Sequence, residues 1–294
     1  MGWLGLWEKA YSAKEVSFLL KITEPKKVLC IHDLSGVGRC SLAVILPVLS
    51  VMGIQPVALP TVVLSTHTGG FSGFTFHDLT QEVAPIADHW AKEGISFDAI
   101  YTGYLGSFEQ IHLVSQFFDR FGGQDTLIYV DPAMADNGVL YTGFTPEFAK
   151  EMGKLCGKAD VIVPNLTEAS FMLGVDYVGD NYDEAYIRDL LKQLTGLGCK
   201  TAVLTGVSFA PGQIGAMAYD AATDTYASYF NEKLPVSFHG TGDVFASALA
   251  ALLVRGAPLS AALETATALT DESICRSLWR DTPRRFGVDF EGAL

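Results

Sequence analysis

The sequence predicts an α/β fold of three layers, with a mostly parallel central sheet between two helical layers and an antiparallel hairpin at one edge. Three observations carry the prediction. From Lys27 onward, short runs rich in β-branched residues alternate with longer stretches of helical period. The runs are apolar almost throughout, as strands buried on both faces must be. Glycines close the helical stretches where a left-handed C-cap belongs.

The first strand spans residues 28–31 and is followed by a helix over 41–52 that closes at Gly53. A second strand over 57–59 leads to a helix over 79–93, closed by Gly94, and a third over 99–101 leads to a helix over 107–121, closed by Gly122. Strands over 127–130, 161–163 and 202–204 follow, with a helix over 184–197 closed by Gly198 before the last of them. Residues 214–219 and 226–230 read as the two arms of a hairpin, turned by the Asp- and Thr-containing residues 220–225. Two Ala-rich helices over 242–254 and 259–275 end the pattern. No repeat, low-complexity tract or Pro/Ser linker interrupts it, so residues 27–294 are expected to form one domain and residues 1–26 an N-terminal extension with a docking or oligomer role.

Composition excludes several classes of function. With 49% hydrophobic and 18% charged residues in 294, the chain has ample apolar surface to offset its conformational entropy. Its 33 acidic and 20 basic residues leave a net charge of −13, which disfavours nucleic acid as a partner. An anionic ligand must then be held locally, by backbone N–H groups, a metal or a few cations. Five cysteines without a C-x-x-C pair suggest neither a disulfide framework nor a zinc site and suit a reducing, cytoplasmic compartment. The longest apolar stretches stop short of the roughly 18 residues of a membrane span, and the N-terminus lacks the basic start of an export signal.

Ligands of open parallel sheets bind beyond the carboxyl ends of the strands, and polar and small residues gather there. The relevant groups are Asp33 in the first loop, Thr102-Gly103-Tyr104, Asp131, Asn165 and Thr205-Gly206. Each taken alone is also what a turn or helix cap requires. The segment Gly240-Thr241-Gly242-Asp243 runs straight into a helix, where close backbone approach and unpaired N–H groups stabilise charge building on a transferring phosphoryl group. Asp243 in the first turn suits two roles equally, a general base for an attacking hydroxyl or a carboxylate that simply favours the helix dipole. Asp131, Asp136 and Glu168 are candidate Mg²⁺ carboxylates, each with an ordinary alternative as a turn or first-turn helix acid. The P-loop, the dinucleotide fingerprint, H-E-x-x-H and G-x-S-x-G are all missing from the sequence. His77, His89 and His112 read as helix-surface residues, Cys30 as core and Cys40 as a loop-to-helix packing residue.

In this order along the chain, Asp131-Pro132-x-x-x-Asp136, Asn165-x-x-Glu168, Gly240-Thr241-Gly242-Asp243 and the early glycine loop resemble the ribokinase superfamily. Within it, Ser65-Thr66-His67-Thr68-Gly69-Gly70 and Thr102-Gly103-Tyr104 resemble the bacterial pyridoxal/pyridoxamine kinases, over about residues 27–290. The resemblance implies a ribokinase-like fold and transfer of the γ-phosphoryl group of ATP to the 5′-hydroxyl of a B6 vitamer. It assigns Asp243 as base and the backbone of Gly240, Thr241 and Gly242 as anion hole. Asp136 and Glu168 would hold Mg²⁺, Asp131 and Asn165 would orient metal and phosphates, and Thr205 and Gly206 would line the nucleotide. Asp33, His67, Thr68 and Tyr104 would border the pyridine ring, with Asp33 where relatives often carry serine. His239 stands where some relatives carry cysteine. A homodimer and a monovalent cation such as K⁺ are further expectations of the resemblance. The competing readings are a hydroxymethylpyrimidine kinase with the same phosphoryl-transfer residues, a sugar kinase of the superfamily, and a non-catalytic B6- or nucleotide-binding protein.

Overall fold

The structure, a computed structural model, describes residues 25–294, so the expectation of an N-terminal extension falls almost wholly outside the described residues. Nine strands form one sheet in the order β11-β10-β9-β8-β5-β4-β1-β2-β3. Its parallel centre consists of β1 (Lys27–Ser35), β2 (Gln55–Leu64), β4 (Ala99–Thr102), β5 (Leu127–Val130), β8 (Val161–Ile162) and β9 (Thr201–Val207). The expected hairpin, β10 (Gln213–Asp220) and β11 (Thr225–Glu232), is antiparallel and closes one edge.

Alternation along these short strands sends their side chains to two cores. Leu29, Ile31, Ile100, Ile128, Val130, Ile162 and Leu204 face one helical layer, made of α2 (Thr80–Lys92), α3 (Phe108–Phe121), α4 (Pro146–Cys156), α5 (Leu166–Leu173) and α6 (Glu184–Thr195). Val28, Cys30, Ala99, Tyr101, Tyr129, Val161 and Val203 face the other, made of α1 (Leu42–Val51), α7 (Thr241–Val254) and α8 (Leu259–Trp279). A strand with both faces covered has no position for a polar residue, which is why these runs read as continuous rather than alternating.

Several elements differ from the sequence expectation. At the far edge, the three-residue β3 (Phe76–Asp78) pairs antiparallel with β2, and its residues are all exposed. It carries no hydrophobic pattern, and it places His77 on a strand rather than a helix. The β6–β7 ribbon (Ala135–Asp136 and Val139–Leu140) turns at Asn137 and Gly138, both with positive φ, as a two-residue Asn-Gly hairpin requires. Helix α4, capped by Thr145, is not among the expected elements, and α5, capped by Asn165, begins where the first-turn acid Glu168 is expected. Gly53 and Gly94 do adopt the left-handed C-cap conformation. Gly122 is extended instead (φ −72°, ψ 140°), and a Cβ there would lie 2.3 Å from the Phe118 carbonyl oxygen. Gly198 has positive φ but sits past the α6 C-cap, which is Gly196.

Candidate active site

All six parallel strands end at the same edge of the sheet, and the predicted residues collect there. β1 and β9 run further than expected, so Asp33, Thr205 and Gly206 lie within strands rather than after them. In both cases an irregularity re-aims the chain. The β1–β2 register shifts between His32 and Leu34, bracketing Asp33, and the β9–β10 register shifts opposite Gly206, whose φ is +73°.

Helix α7 begins at the end of a loop whose last residue, Gly240, has φ +81°. A Cβ there would sit 2.0 Å from the carbonyl oxygen of Arg39, so glycine is required twice over, by handedness and by space. Thr241 Oγ1 donates to the Phe238 carbonyl oxygen at 3.2 Å and fixes the turn. The N–H groups of Thr241, Gly242 and Asp243 occupy the first turn, where no preceding helical carbonyl can accept from them. Gly242 is exposed, and a Cβ on it would meet nothing within 4 Å. Packing within the protein therefore does not require glycine at this point.

Asp243, the third residue of α7, is pushed up to about 7, chiefly by burial of its carboxylate, with the charge of Asp33 adding to the shift and the nearby Ser41 N–H opposing it. Asp33 is itself buried and raised, with the hydroxyls of Ser41 and Ser35 acting against burial. Asp131, just past β5, is raised well above the carboxylate range by burial and then by the charge of Asp243. Glu168 is raised by burial and by Asp131. Tyr141, in the turn after β7, is raised by burial and then by the charges of Glu168, Asp136, Asp131 and Asp243.

The four are not equivalent. Glu168 is 3% exposed and its oxygens are engaged: Oε1 accepts from the N–H of Met134 (3.1 Å) and Ala135 (3.5 Å), and Oε2 from Asn165 N–H (2.9 Å). Asn165 Oδ1 accepts in return from Glu168 N–H at 2.9 Å, completing a capping box at the start of α5. Asn165 Nδ2 donates to the Ala135 carbonyl oxygen at 2.8 Å, and its backbone bridges to Thr205. Asp136 is exposed and its oxygens accept from Asn137 N–H and Nδ2, both at 2.9 Å. Among the described residues no three His, Cys, Asp or Glu side chains cluster tightly enough to bind a metal by themselves. Mg²⁺ needs no such cage: it keeps several waters, takes further ligands from phosphates and is held by one or two carboxylates, which these residues can supply.

Burial, and then the charge of Asp33, raise Tyr104. The Tyr104 ring lies 5.5 Å from Phe144 and tilted 39° to it, and Phe144 stacks face to face on the buried Phe148 at 4.2 Å. His67 is buried and acts on Asp33, and its ring lies 5.0 Å from that of His239. Thr68 is exposed, and its side chain makes no contact with the other site residues through a described hydrogen bond. Phe144, which lies outside every motif, is not legible in the sequence, nor is Ser41, whose φ is +51° and whose N–H and hydroxyl serve Asp243 and Asp33.

The chain is similar in sequence and fold to known proteins. It is 40% identical to a Bacteroides thetaiotaomicron protein described as a phosphomethylpyrimidine kinase and crystallised with pyridoxal, with a TM-score of 0.87 over 92% of this chain and 94% of that one. Pyridoxal kinase from Lactobacillus plantarum is 33% identical, with a TM-score of 0.83 over 91% of this chain and 94% of that one. A hydroxymethylpyrimidine/phosphomethylpyrimidine kinase of Haemophilus influenzae is 27% identical over 82% of this chain and 88% of its own length. The family model for phosphomethylpyrimidine kinase matches residues 46–282, and the chain belongs to that family, within the ribokinase superfamily.

Proposed function

We propose that this protein transfers the γ-phosphoryl group of ATP to the 5′-hydroxyl of pyridoxal, pyridoxamine or pyridoxine. The observation that carries the reading is the juxtaposition at the tip of α7: a carboxylate lifted to about 7 stands beside a glycine whose missing side chain faces open space. A primary alcohol is a poor nucleophile until a base within reach takes its proton. Asp243 accepts that proton as the oxygen attacks the γ-phosphorus and the bond to the bridging oxygen of ADP breaks. The N–H groups of Thr241 and Gly242 meet the charge that develops on the phosphoryl oxygens.

When bound, Mg²⁺ would neutralise charge on the β- and γ-phosphates. Asp131 is the carboxylate best suited to hold it, with Asp136 and Glu168 acting through water. Asn165, Thr205 and Gly206 line the nucleotide side, where Gly206 leaves the backbone open. Tyr104 and Phe144 offer a face to a flat ring, with His67, Thr68 and Asp33 at its rim. Binding of pyridoxal by the Bacteroides neighbour supports a pyridine ring over a polyol.

A hydroxymethylpyrimidine is the second reading, favoured by the Haemophilus relative, and it calls for the same phosphoryl-transfer residues. Purified protein with Mg-ATP and each alcohol in parallel, scored by phosphorylated product, decides between them. A B6 kinase gives a kcat/KM for at least one vitamer above that for hydroxymethylpyrimidine, and the reverse order overturns the assignment. Binding of pyridoxal without any phosphorylated product would instead indicate a binding protein. The reading also takes the protein to be a cytoplasmic homodimer, which sedimentation of the purified chain tests for the oligomer.

A further inference from the structure

We infer that residues 284–291, which follow the last residue matched by the family model, form a strap that sets the geometry of the phosphoryl-transfer site, anchored by Asp289. The inference rests on the placement of that site at the tip of α7. Three hydrogen bonds leave this short segment for three separate site loops. The Arg285 carbonyl oxygen accepts from His67 Nε2 at 2.7 Å; the ring nitrogen Nδ1 accepts from Gly69 N–H at 3.1 Å, so Nε2 is the protonated one. The Phe286 carbonyl oxygen accepts from Arg39 N–H at 3.0 Å, and Val288 N–H donates to the His239 carbonyl oxygen at 2.9 Å. The loops after β1 and β2 and the turn into α7 are thus tied to one strand of chain.

Space is as closely defined as bonding. The Arg39 carbonyl oxygen is wedged between two glycines: a Cβ on Gly240 would lie 2.0 Å from it and a Cβ on Gly287 (φ +81°) 2.7 Å from it. The Arg39 side chain reaches back to the strap, 2.8 Å from Glu291 and 3.6 Å from Asp289. Asp289 is 2% exposed and takes a second cation, Arg280, at 2.7 Å, while its own N–H donates to Ser277 Oγ at 2.7 Å. A tail that only had to cover the core would need no more than Val288 and Phe290, which are fully buried. The Asp289 carboxylate, which hydrogen-bonds Arg280 and lies 3.6 Å from Arg39 without a hydrogen bond to it, contributes little net stability for its desolvation cost; together with Glu291, which Arg39 Nε reaches at 2.8 Å, it fixes the position of Arg39 and, through it, Gly240. No described hydrogen bond runs from the strap to Asn165, Thr205 or Gly206, so the nucleotide side is independent of it.

The test compares Asp289→Asn and Gly287→Ala with the parent full-length chain. Misplacing reacting groups by a fraction of an ångström costs rate rather than nucleotide binding, so kcat is expected to fall at least about tenfold in both variants. The KM for ATP stays within about twofold. ADP binding measured by calorimetry stays at the parent stoichiometry, and hydrogen exchange accelerates in peptides covering residues 36–44 and 238–246 but not in those covering 163–168 or 203–208. Unchanged kcat and exchange with only a lower Tm would overturn the strap. So would a kcat loss that tracks a loss of ADP-binding stoichiometry. If Asp289→Asn fails to fold, Gly287→Ala, which removes no charged group, decides alone. If the parent phosphorylates no alcohol, or Asp243→Ala is as active as the parent, the catalytic reading has failed, and the exchange pattern still tests the strap.

Discussion

Gly240 is pressed against Arg39 so closely that an added Cβ would stand 2.0 Å from the arginine carbonyl oxygen, whereas two residues on, Gly242 faces open space. The two glycines of one motif are therefore there for different reasons, and substitution separates them. Gly240→Ala forces a positive φ and a backbone clash and lowers stability by more than about 1 kcal/mol. Gly242→Ala clashes with nothing in the protein and places a better helix former in the first turn, so its Tm equals or exceeds the parent's. Its kcat nevertheless falls at least about tenfold, because the methyl occupies the approach to the N–H groups that stabilise the transition state. Melting curves and steady-state rates of the two variants check both halves; full activity in Gly242→Ala would remove the case for a ligand at this point.

Asp243→Ala is expected to lose at least about 100-fold in kcat, the lower range for removal of a general base. Loss of a merely dipole-favouring carboxylate predicts something different, a small fall in Tm with the rate retained. Rates and melts measured on one preparation separate the base from the helix acid, the two roles that the sequence left level.

The pH dependence follows from the same residue. Burial and Asp33 raise Asp243 to about 7, and catalysis needs its ionised form, so kcat/KM falls on the acid side with a midpoint near that value rather than in the ordinary carboxylate range. For stability the sign is opposite to that of an ion-paired carboxylate: the folded state favours the protonated form, so the contribution is fully present below the unfolded pKa and is lost as pH rises through about 7. In the absence of divalent cation, Asp243→Asn should therefore gain on the parent in Tm as pH increases from 5 to about 8. A parallel pair of Tm–pH curves would contradict the assignment.

Much of this architecture was legible in advance, and the exceptions share a cause. The six parallel strands are legible because burial on two faces leaves a local signature in each run; the edge hairpin, whose outer strand has no buried residue, is legible from its two runs and the Asp- and Thr-containing turn between them. The ribbon β6–β7 and the edge strand β3 are two or three residues per strand, too short for any period to show. At the candidate site, Asp243, Asp131 and Asp33 are legible as candidates because strand ends and helix starts are predictable places. Ser41 and Phe144 are not, since a positive φ at serine and an aromatic stacked across a loop depend on tertiary contacts. The same applies to Glu168. Its spacing from Asn165 pointed equally to a cap or a metal ligand, and only the three N–H groups converging on its oxygens show how fully the cap uses it.

That difference between Glu168 and Asp131 gives the last prediction. Glu168→Ala leaves three buried N–H groups without an acceptor, so it is expected to cost about 3 kcal/mol or more in stability. Asp131 has no such structural duty. Its carboxylate is held up by burial and by Asp243, so its ionisation costs stability that is present at low pH and lost as pH rises through its folded value. Asp131→Asn should accordingly be at least as stable as the parent at neutral pH without divalent cation. Its Mg²⁺ requirement should rise at least about tenfold, the scale on which loss of a metal-positioning group is felt. Chemical denaturation of both variants, with activity titrated against Mg²⁺, gives a crossed result if the assignment is right: one protein weakened in fold, the other in its response to metal. An Asp131→Asn protein with an unaltered Mg²⁺ titration would move the metal-holding role to Asp136.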